Sequence, residues 1–333
     1  MKFLENVSLK EYNTFGIDVK ARRMVVVEPR DFLGFAPPAV GGQWLDPQGK
    51  NLVLGAGSDV VFTRDYEGIV VLLANFHYSF SYMEQSLISA WGGMSMDSLV
   101  RWAVEYGFYG LENLSAIPGT VGAAVVQNVG AYGVEAKDVV ERVVAYDMEQ
   151  HRTCTFSNAD CQFSYRDSMF KHHPGRYLLL RVFFRFSPTY TPNLSYKALE
   201  ALPHDTAKEM RDSITALRWQ KLPRPEEHGS AGSFFKNPMV DETIYNRIKA
   251  EYPDMPEAHK TADGYKLSAG WLIDKAGWKG KTLGRVGVWP QNALVLYNTG
   301  GCTGSEVVAM ADAIVADIES KFGITLTPEA III

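Results

Sequence analysis

Apolar side chains set the first rhythm of this chain. Residues 23–28, 51–54, 69–73 and 87–91 are short runs rich in valine, isoleucine and leucine, the pattern of buried or half-buried strands. Residues 142–147 and 177–186 continue the β series. Over residues 96–106 the apolar spacing changes to three and four, which predicts a helix with Ser95 or Asp97 placed to cap it. A second helical stretch, 204–220, should be stopped by the prolines of Lys221-Leu-Pro-Arg-Pro. The last third reads as mixed, with helices over 241–251 and 305–322 and a strand over 293–297. A final strand over 324–333 is expected, interrupted at Pro328. On the helix 305–322, Val307, Met310, Ala311, Ile314, Ile318 and Phe322 form one stripe, so that face should lie in a core. Residues 34–50, rich in glycine and proline, predict an irregular surface excursion.

Length and charge narrow the picture. At 333 residues the chain exceeds one ordinary core, and two or three domains are expected. A formal net charge of -5 argues against general affinity for nucleic acid or anionic membrane, since both demand a basic surface. Residues 1–10 alternate charged and apolar positions without the apolar core of a leader peptide. The most apolar stretch, 177–186, is broken by Arg181 and Arg185, so nothing there spans a bilayer. A cytoplasmic protein is expected. Cys154, Cys161 and Cys302 are an odd number without CxxC spacing, as for reduced thiols, and the histidines have no paired metal spacing, so no metal site is expected.

Two segments carry candidate chemistry. A strand over 53–54 runs into Gly55-Ala56-Gly57-Ser58-Asp59, where glycines without a Cβ let backbone N–H groups approach an anion and Ser58 adds a hydroxyl. This is not the dinucleotide fingerprint, because Val60, Val61 and Phe62 resume at once, and a plain tight turn has the same composition. Residues 111–133 hold Gly119, Gly122, Gly130 and Gly133 with a run of alanines. Such a run packs backbone against backbone or against a flat ligand. Two segments of this kind in one β-rich region favour a bound pyrophosphate cofactor.

Together the two segments resemble the FAD-binding domain shared by UDP-N-acetylenolpyruvoylglucosamine reductases and vanillyl-alcohol-oxidase-type flavoproteins. Ser164-Tyr-Arg-Asp-Ser168, Gly229-Ser-Ala-Gly-Ser-Phe-Phe-Lys-Asn-Pro238, Thr327-Pro-Glu329 and Asn13-Thr-Phe-Gly16 resemble elements of the reductases in particular, in the right order along nearly the whole chain. Thr191-Pro-Asn-Leu-Ser-Tyr196 resembles the loop of the type I reductases, whose tyrosine closes over the substrate.

The resemblance implies an α+β fold. A two-part FAD-binding region of the vanillyl-alcohol-oxidase type, residues 1–72 with 328–333 and residues 73–215, would clasp the flavin, and an α+β substrate-binding domain, 216–327, would close over a UDP-sugar. It implies non-covalent FAD at Gly55, Ala56, Gly57, Ser58, Asp59, Ile117, Pro118, Gly119, Gly122, Ala123, Gln127, Asn128, Gly130 and Tyr132. It further implies NADPH as co-substrate and reduction of UDP-N-acetylglucosamine enolpyruvate to UDP-N-acetylmuramate, in a monomer serving peptidoglycan precursor synthesis. Ser233 would be the proton donor. Arg166 and Glu329 would engage the substrate carboxylate and enol oxygen, the planar fork of arginine suiting a carboxylate. Tyr196, Lys221, Asn237 and Gln291 would bind the diphosphate and uracil. Lys236 and Arg218 read more simply as solvated surface cations. Asp59 stands where the family usually has asparagine, and Val125 where it often has proline. Two alternatives stand beside this reading: another FAD-dependent oxidoreductase of the same fold acting on a hydroxy acid or sugar, and a non-catalytic relative that holds FAD or a UDP-sugar.

Overall fold

The computed structural model describes residues 1–35, 43–76, 80–84, 86–262 and 264–333. Two compact units make up the chain, each assembled from discontinuous segments: Met1–Val7, Lys20–Ala56 and Tyr66–Arg218 in one, Ser8–Val19, Gly57–Asp65 and Trp219–Ile333 in the other.

The first unit holds two sheets. One has the order Lys2–Ser8, Lys20–Val27, Tyr66–Leu73, Asn51–Leu54, and its last three strands run parallel. The other is antiparallel, in the order Arg152–Ser157, Val140–Asp147, Tyr177–Arg185, Leu87–Trp91, Phe80–Glu84. Both sheets feed one core, with Val25, Val27 and Val71 from the first meeting Trp91, Val143 and Leu180 from the second. The alternating residues 1–10, read above only for their lack of a leader core, supply the edge strand Lys2–Ser8.

Helix Met96–Glu105 buries Met96, Leu99, Val100 and Ala103, the three-and-four spacing seen in the sequence. Ser95 is its cap, accepting the Ser98 N–H at 3.3 Å; Asp97 is turned to another use described below. Part of the 34–50 excursion is core rather than surface: Trp44 and Leu45 are buried, and Trp44 stacks on Tyr146 with centroids 6.0 Å apart. Two aromatic and aliphatic side chains amid glycines and a proline were enough to pull that stretch inward. Residues 36–42 of the excursion lie outside the described residues.

In the second unit an antiparallel sheet takes the order Ser230–Ser233, Val295–Asn298, Val286–Val288, Thr282–Leu283. Helix Gly304–Phe322 opens on a capping box between Thr303 and Glu306 and closes on Gly323 in the left-handed conformation. All six residues of its predicted stripe are buried. The expected last strand is short. Ile331–Ile332 pairs in parallel with Val60–Val61, and upstream a single bridge, Phe235 with Pro328, replaces a ladder. Proline has no N–H to continue one. Among the described residues no helix is long and apolar enough to cross a membrane.

Candidate active site

In the first unit the chemistry-bearing segments are crowded with left-handed backbone. Ala116, Asn128, Tyr132 and Arg166 are non-glycine residues at φ between +43° and +57°, and Gly119 and Gly133 join them. Each non-glycine costs roughly 1 kcal/mol or more to hold there, so the surrounding structure must impose it. The restraints are visible. Asn128 is fully buried, donating to Glu135 at 3.0 Å and the Ser164 carbonyl at 2.8 Å while its Oδ1 accepts from the Lys137 N–H at 3.1 Å. The Tyr132 carbonyl accepts from Asn113 at 2.7 Å.

Arg166 sits at the tip of a two-residue turn closed by reciprocal backbone hydrogen bonds between Ser164 and Asp167, at 3.1 and 3.2 Å. Its Nη2 donates to the Gly130 carbonyl at 2.6 Å, and its guanidinium lies 5.1 Å from the centroid of the Tyr165 ring. A Cβ at residue 130 would lie 2.8 Å from Glu135 Cγ, 3.0 Å from Arg166 Nη1 and 3.2 Å from Val134 O, so a larger residue there would crowd this turn. Ser168, fully buried, anchors the turn through Val126 O at 2.7 Å, and Lys171 bridges Gln127 Oε1 at 2.8 Å to the Arg166 carbonyl at 3.1 Å. Every residue of the Tyr-Arg-Asp-Ser element thus has a structural task around the one arginine.

The glycines divide by function. Gly122 is a packing residue: its N–H donates to Gly92 O at 2.8 Å and the Val121 N–H to Met94 O at 2.8 Å. Gly92 and Gly93, which pattern reasoning passed over, are as constrained, since a Cβ on Gly92 would lie 1.9 Å from Leu179 O. A Gly-Gly pair directly after a strand was the available signal. Gly55 leaves room for Thr120 Oγ1 and Ala123 Cβ, each 2.9 Å from where its Cβ would be, and Thr120 caps the short helix Val121–Val126 through the Ala123 N–H at 3.3 Å. Ile117, Pro118 and Gly119 follow Ala116 as a partly exposed irregular segment, and Ala56 is exposed.

Tyr132 and Tyr196 meet edge to face with centroids 5.1 Å apart. The 191–196 loop is tied down behind them. Asn113 Nδ2 donates to Asn193 O at 3.0 Å, Asn193 Nδ2 donates to Gly133 O at 3.2 Å, and Ser195 Oγ donates to Asn193 Oδ1 at 2.7 Å. Arg218 is no solvated cation. It donates through Nε to Ala116 O at 3.1 Å and hydrogen-bonds Tyr132. Burial pushes the Tyr132 phenol above its ordinary value, with the Arg218 charge opposing.

The second unit carries the other candidates. Ser233 ends the strand that pairs with Val295. The chain beyond it is threaded between two neighbours: the Phe234 N–H donates to Leu294 O at 2.7 Å, the Glu329 N–H to Phe234 O at 2.7 Å and the Lys236 N–H to Thr327 O at 2.9 Å. Ser233 and Glu329 are therefore neighbours on a common frame. Asn237 Oδ1 accepts from the Ala269 N–H at 3.0 Å, and Gln291 lies exposed in the turn before Val295–Asn298. Lys221 is half-buried.

The Asn-Thr-Phe-Gly element is a brace in this unit. Asn13, 4% exposed, closes its own loop through Leu9 O, Ile17 O and the Ile17 N–H at 2.7, 2.9 and 3.0 Å. The Thr14 N–H donates to Gly57 O at 3.0 Å and its hydroxyl to Ser230 O at 2.6 Å. Gly57, at φ +62°, would drive a Cβ to 2.1 Å from Tyr12 O. Ser58 and Asp59 are half-buried, and the Asp59 carbonyl accepts the Ile331 N–H at 2.9 Å. The thiols of Cys161 and Cys302 are pushed up to about 12 and about 11 by burial, with Asp160 and Glu306 adding to it.

The class is that of α+β flavoproteins with an FAD-binding domain. An FAD binding domain matches residues 47–149, and the UDP-N-acetylenolpyruvoylglucosamine reductase C-terminal domain matches residues 224–333. The chain is 43% identical to the UDP-N-acetylenolpyruvoylglucosamine reductase of Pseudomonas aeruginosa and 44% to that of Pseudomonas putida, in each case over 99% of this chain and 98% of the relative. The crystal structure of the reductase from Thermus caldophilus superposes with a TM-score of 0.67 at 23% identity, covering 99% of this chain and 98% of that one. This chain belongs to the UDP-N-acetylenolpyruvoylglucosamine reductase family.

Proposed function

We propose that this protein reduces the enolpyruvyl group of UDP-N-acetylenolpyruvoylglucosamine to the lactyl ether of UDP-N-acetylmuramate, with FAD as cofactor and NADPH as reductant, in peptidoglycan precursor synthesis. The observation that carries this reading is the full-length identity of 43–44% to curated reductases. Four of the eight left-handed non-glycine residues among those described, Ala116, Asn128, Tyr132 and Arg166, fall in the segments and turn that the reading makes functional, and this supports it.

The turn 55–59 and the segments 117–123 and 127–132 take the FAD, with Gly122 acting through packing. FAD held there, once reduced by NADPH, would supply the hydride for the terminal enol carbon of the substrate. The chain's own residues do the rest. Ser233 donates the proton at the adjacent carbon. A serine hydroxyl is a weak acid, so it works beside groups that stabilise the developing charge. Arg166 pairs with the substrate carboxylate, and Glu329 orients the enol oxygen. Tyr196 covers the nucleotide as in the type I reductases, while Lys221, Asn237 and Gln291 bind diphosphate and uracil. Three functional divisions are proposed: 1–72 with 328–333, 73–215 and 216–327. The enzyme works as a cytoplasmic monomer without nucleic-acid or membrane partners.

The test is the two half-reactions in the absence of air. NADPH should bleach the flavin absorbance, and the enolpyruvyl UDP-sugar should restore it. A protein that cannot be loaded with FAD, or whose reduced flavin ignores that substrate, refutes the reading.

A further inference from the structure

Asp97 lies on helix Met96–Glu105, in none of the segments given a role above, yet its carboxylate accepts four hydrogen bonds. Its Oδ1 accepts the Ala116 N–H at 2.6 Å. Arg211 grips both of its oxygens, Nη1 to Oδ1 at 2.7 Å and Nη2 to Oδ2 at 3.0 Å, and Arg101 approaches Oδ2 at 3.5 Å. The Arg211 side chain is only 12% exposed and that of Asp97 22%, so this pair is shielded where most surface pairs are not. On its other side the Ala116 peptide is held by Arg218, whose Nε donates to the carbonyl at 3.1 Å.

Ala116 is therefore clamped at both ends. It is buried, it carries a Cβ, and it stands at φ +57°, a conformation that alanine leaves readily unless held. The irregular segment 117–119 follows directly. We infer that Asp97, fixed by Arg211, is a positioning residue for the flavin: by holding Ala116 in the left-handed conformation it aims Ile117–Gly119 at the cofactor. The inference rests on the FAD reading above. The burial of Asp97 alone would raise its pKa, but the Arg211 hydrogen bonds, the Ala116 N–H and the cationic charges hold it below the ordinary value, so the carboxylate is charged at neutral pH.

The experiment combines FAD affinity with amide hydrogen exchange at Ala116 in the FAD-free protein. Asp97→Ala should expose the Ala116 amide to exchange and raise the FAD dissociation constant by roughly ten- to a hundredfold. Ala116→Gly alone should change little, because glycine occupies that conformation without a Cβ penalty. In the double variant Asp97→Ala/Ala116→Gly, FAD affinity should recover part of the loss; a purely structural role for Asp97 gives additive losses instead. If Asp97→Ala leaves Ala116 protected, or leaves FAD affinity within about twofold of the parent while the amide opens, the inference is overturned. Should Asp97→Ala not fold, Arg211→Met keeps the acceptor but releases its anchor and is judged by the same two readouts. Failure of the unaltered protein to bind FAD defeats the flavoenzyme reading, while the exchange measurement still decides whether Asp97 clamps Ala116.

Discussion

Glu329 gives its peptide N–H to the Phe234 carbonyl across 2.7 Å, which sets a residue near the end of the chain one position from Ser233. Nearly a hundred residues separate them in sequence. With the Lys236 N–H to Thr327 O bond, this hydrogen bond lays the Gly-Ser-Phe-Phe-Lys-Asn-Pro segment against the Thr-Pro-Glu element.

Ser233→Ala should slow reoxidation of the reduced flavin by the enolpyruvyl substrate by about 10² to 10³, the usual weight of a positioned proton donor. Reduction by NADPH should be nearly unchanged. Rapid-mixing absorbance of the two half-reactions separates these outcomes, and equal slowing of both would remove Ser233 from the role of acid.

Arg166→Lys should lower kcat/KM by roughly a hundredfold, because an ammonium cannot hold Gly130 O and a carboxylate in one plane. Steady-state kinetics with thermal unfolding checks this. A large loss of stability with kcat/KM preserved per folded molecule would make the residue structural.

Gly57→Ala should destabilise the protein by about 2–4 kcal/mol, since the new Cβ meets Tyr12 O at 2.1 Å in a left-handed backbone. Gly280→Ala is the control. It too is left-handed, but nothing lies within 4 Å of its Cβ position, so about 1 kcal/mol is expected. Denaturant titration of both variants tests the difference.

Glu306 links stability to pH. The Arg285 side chain, first, and the Thr303 N–H and hydroxyl lower its pKa from 4.5 to about 2. A folded-state pKa below the unfolded one stabilises the native state above about pH 4.5, and that contribution fades as pH falls toward 2. Glu306→Gln should therefore be less stable than the parent at pH 7 and indistinguishable from it near pH 2. Unfolding curves across that range give the answer.

Much of this was legible in the pattern of apolar residues. The strand Leu87–Trp91, the helix from Met96 and the buried stripe of Gly304–Phe322 follow directly from periodicity, because burial alone dictates them. Illegible parts depend on partners distant in the chain. Nothing local marks Arg218 as the ligand of Ala116 O, or Trp44 as core beside Tyr146. The interruption of strand 324–333 at Pro328 is legible, but not that hydrogen bonding there is set by Phe234 and Lys236 rather than by a neighbouring long strand. The glycine segments stand out in the sequence, but nothing local marks a glycine that, like Gly122, packs against another backbone.

Thr14 joins Gly57 to Ser230, and the second unit as a whole is gathered from pieces before and after about 150 residues of the first. On a ribosome adding roughly 5–20 residues per second, residues 8–19 and 57–65 wait some ten seconds or longer for the strand that completes them. During that interval Phe15, Ile17, Val61 and Phe62, all buried at the end, have nothing to cover them. Nascent chains of this protein should accordingly be held by chaperones at those two stretches until residues 219–333 emerge.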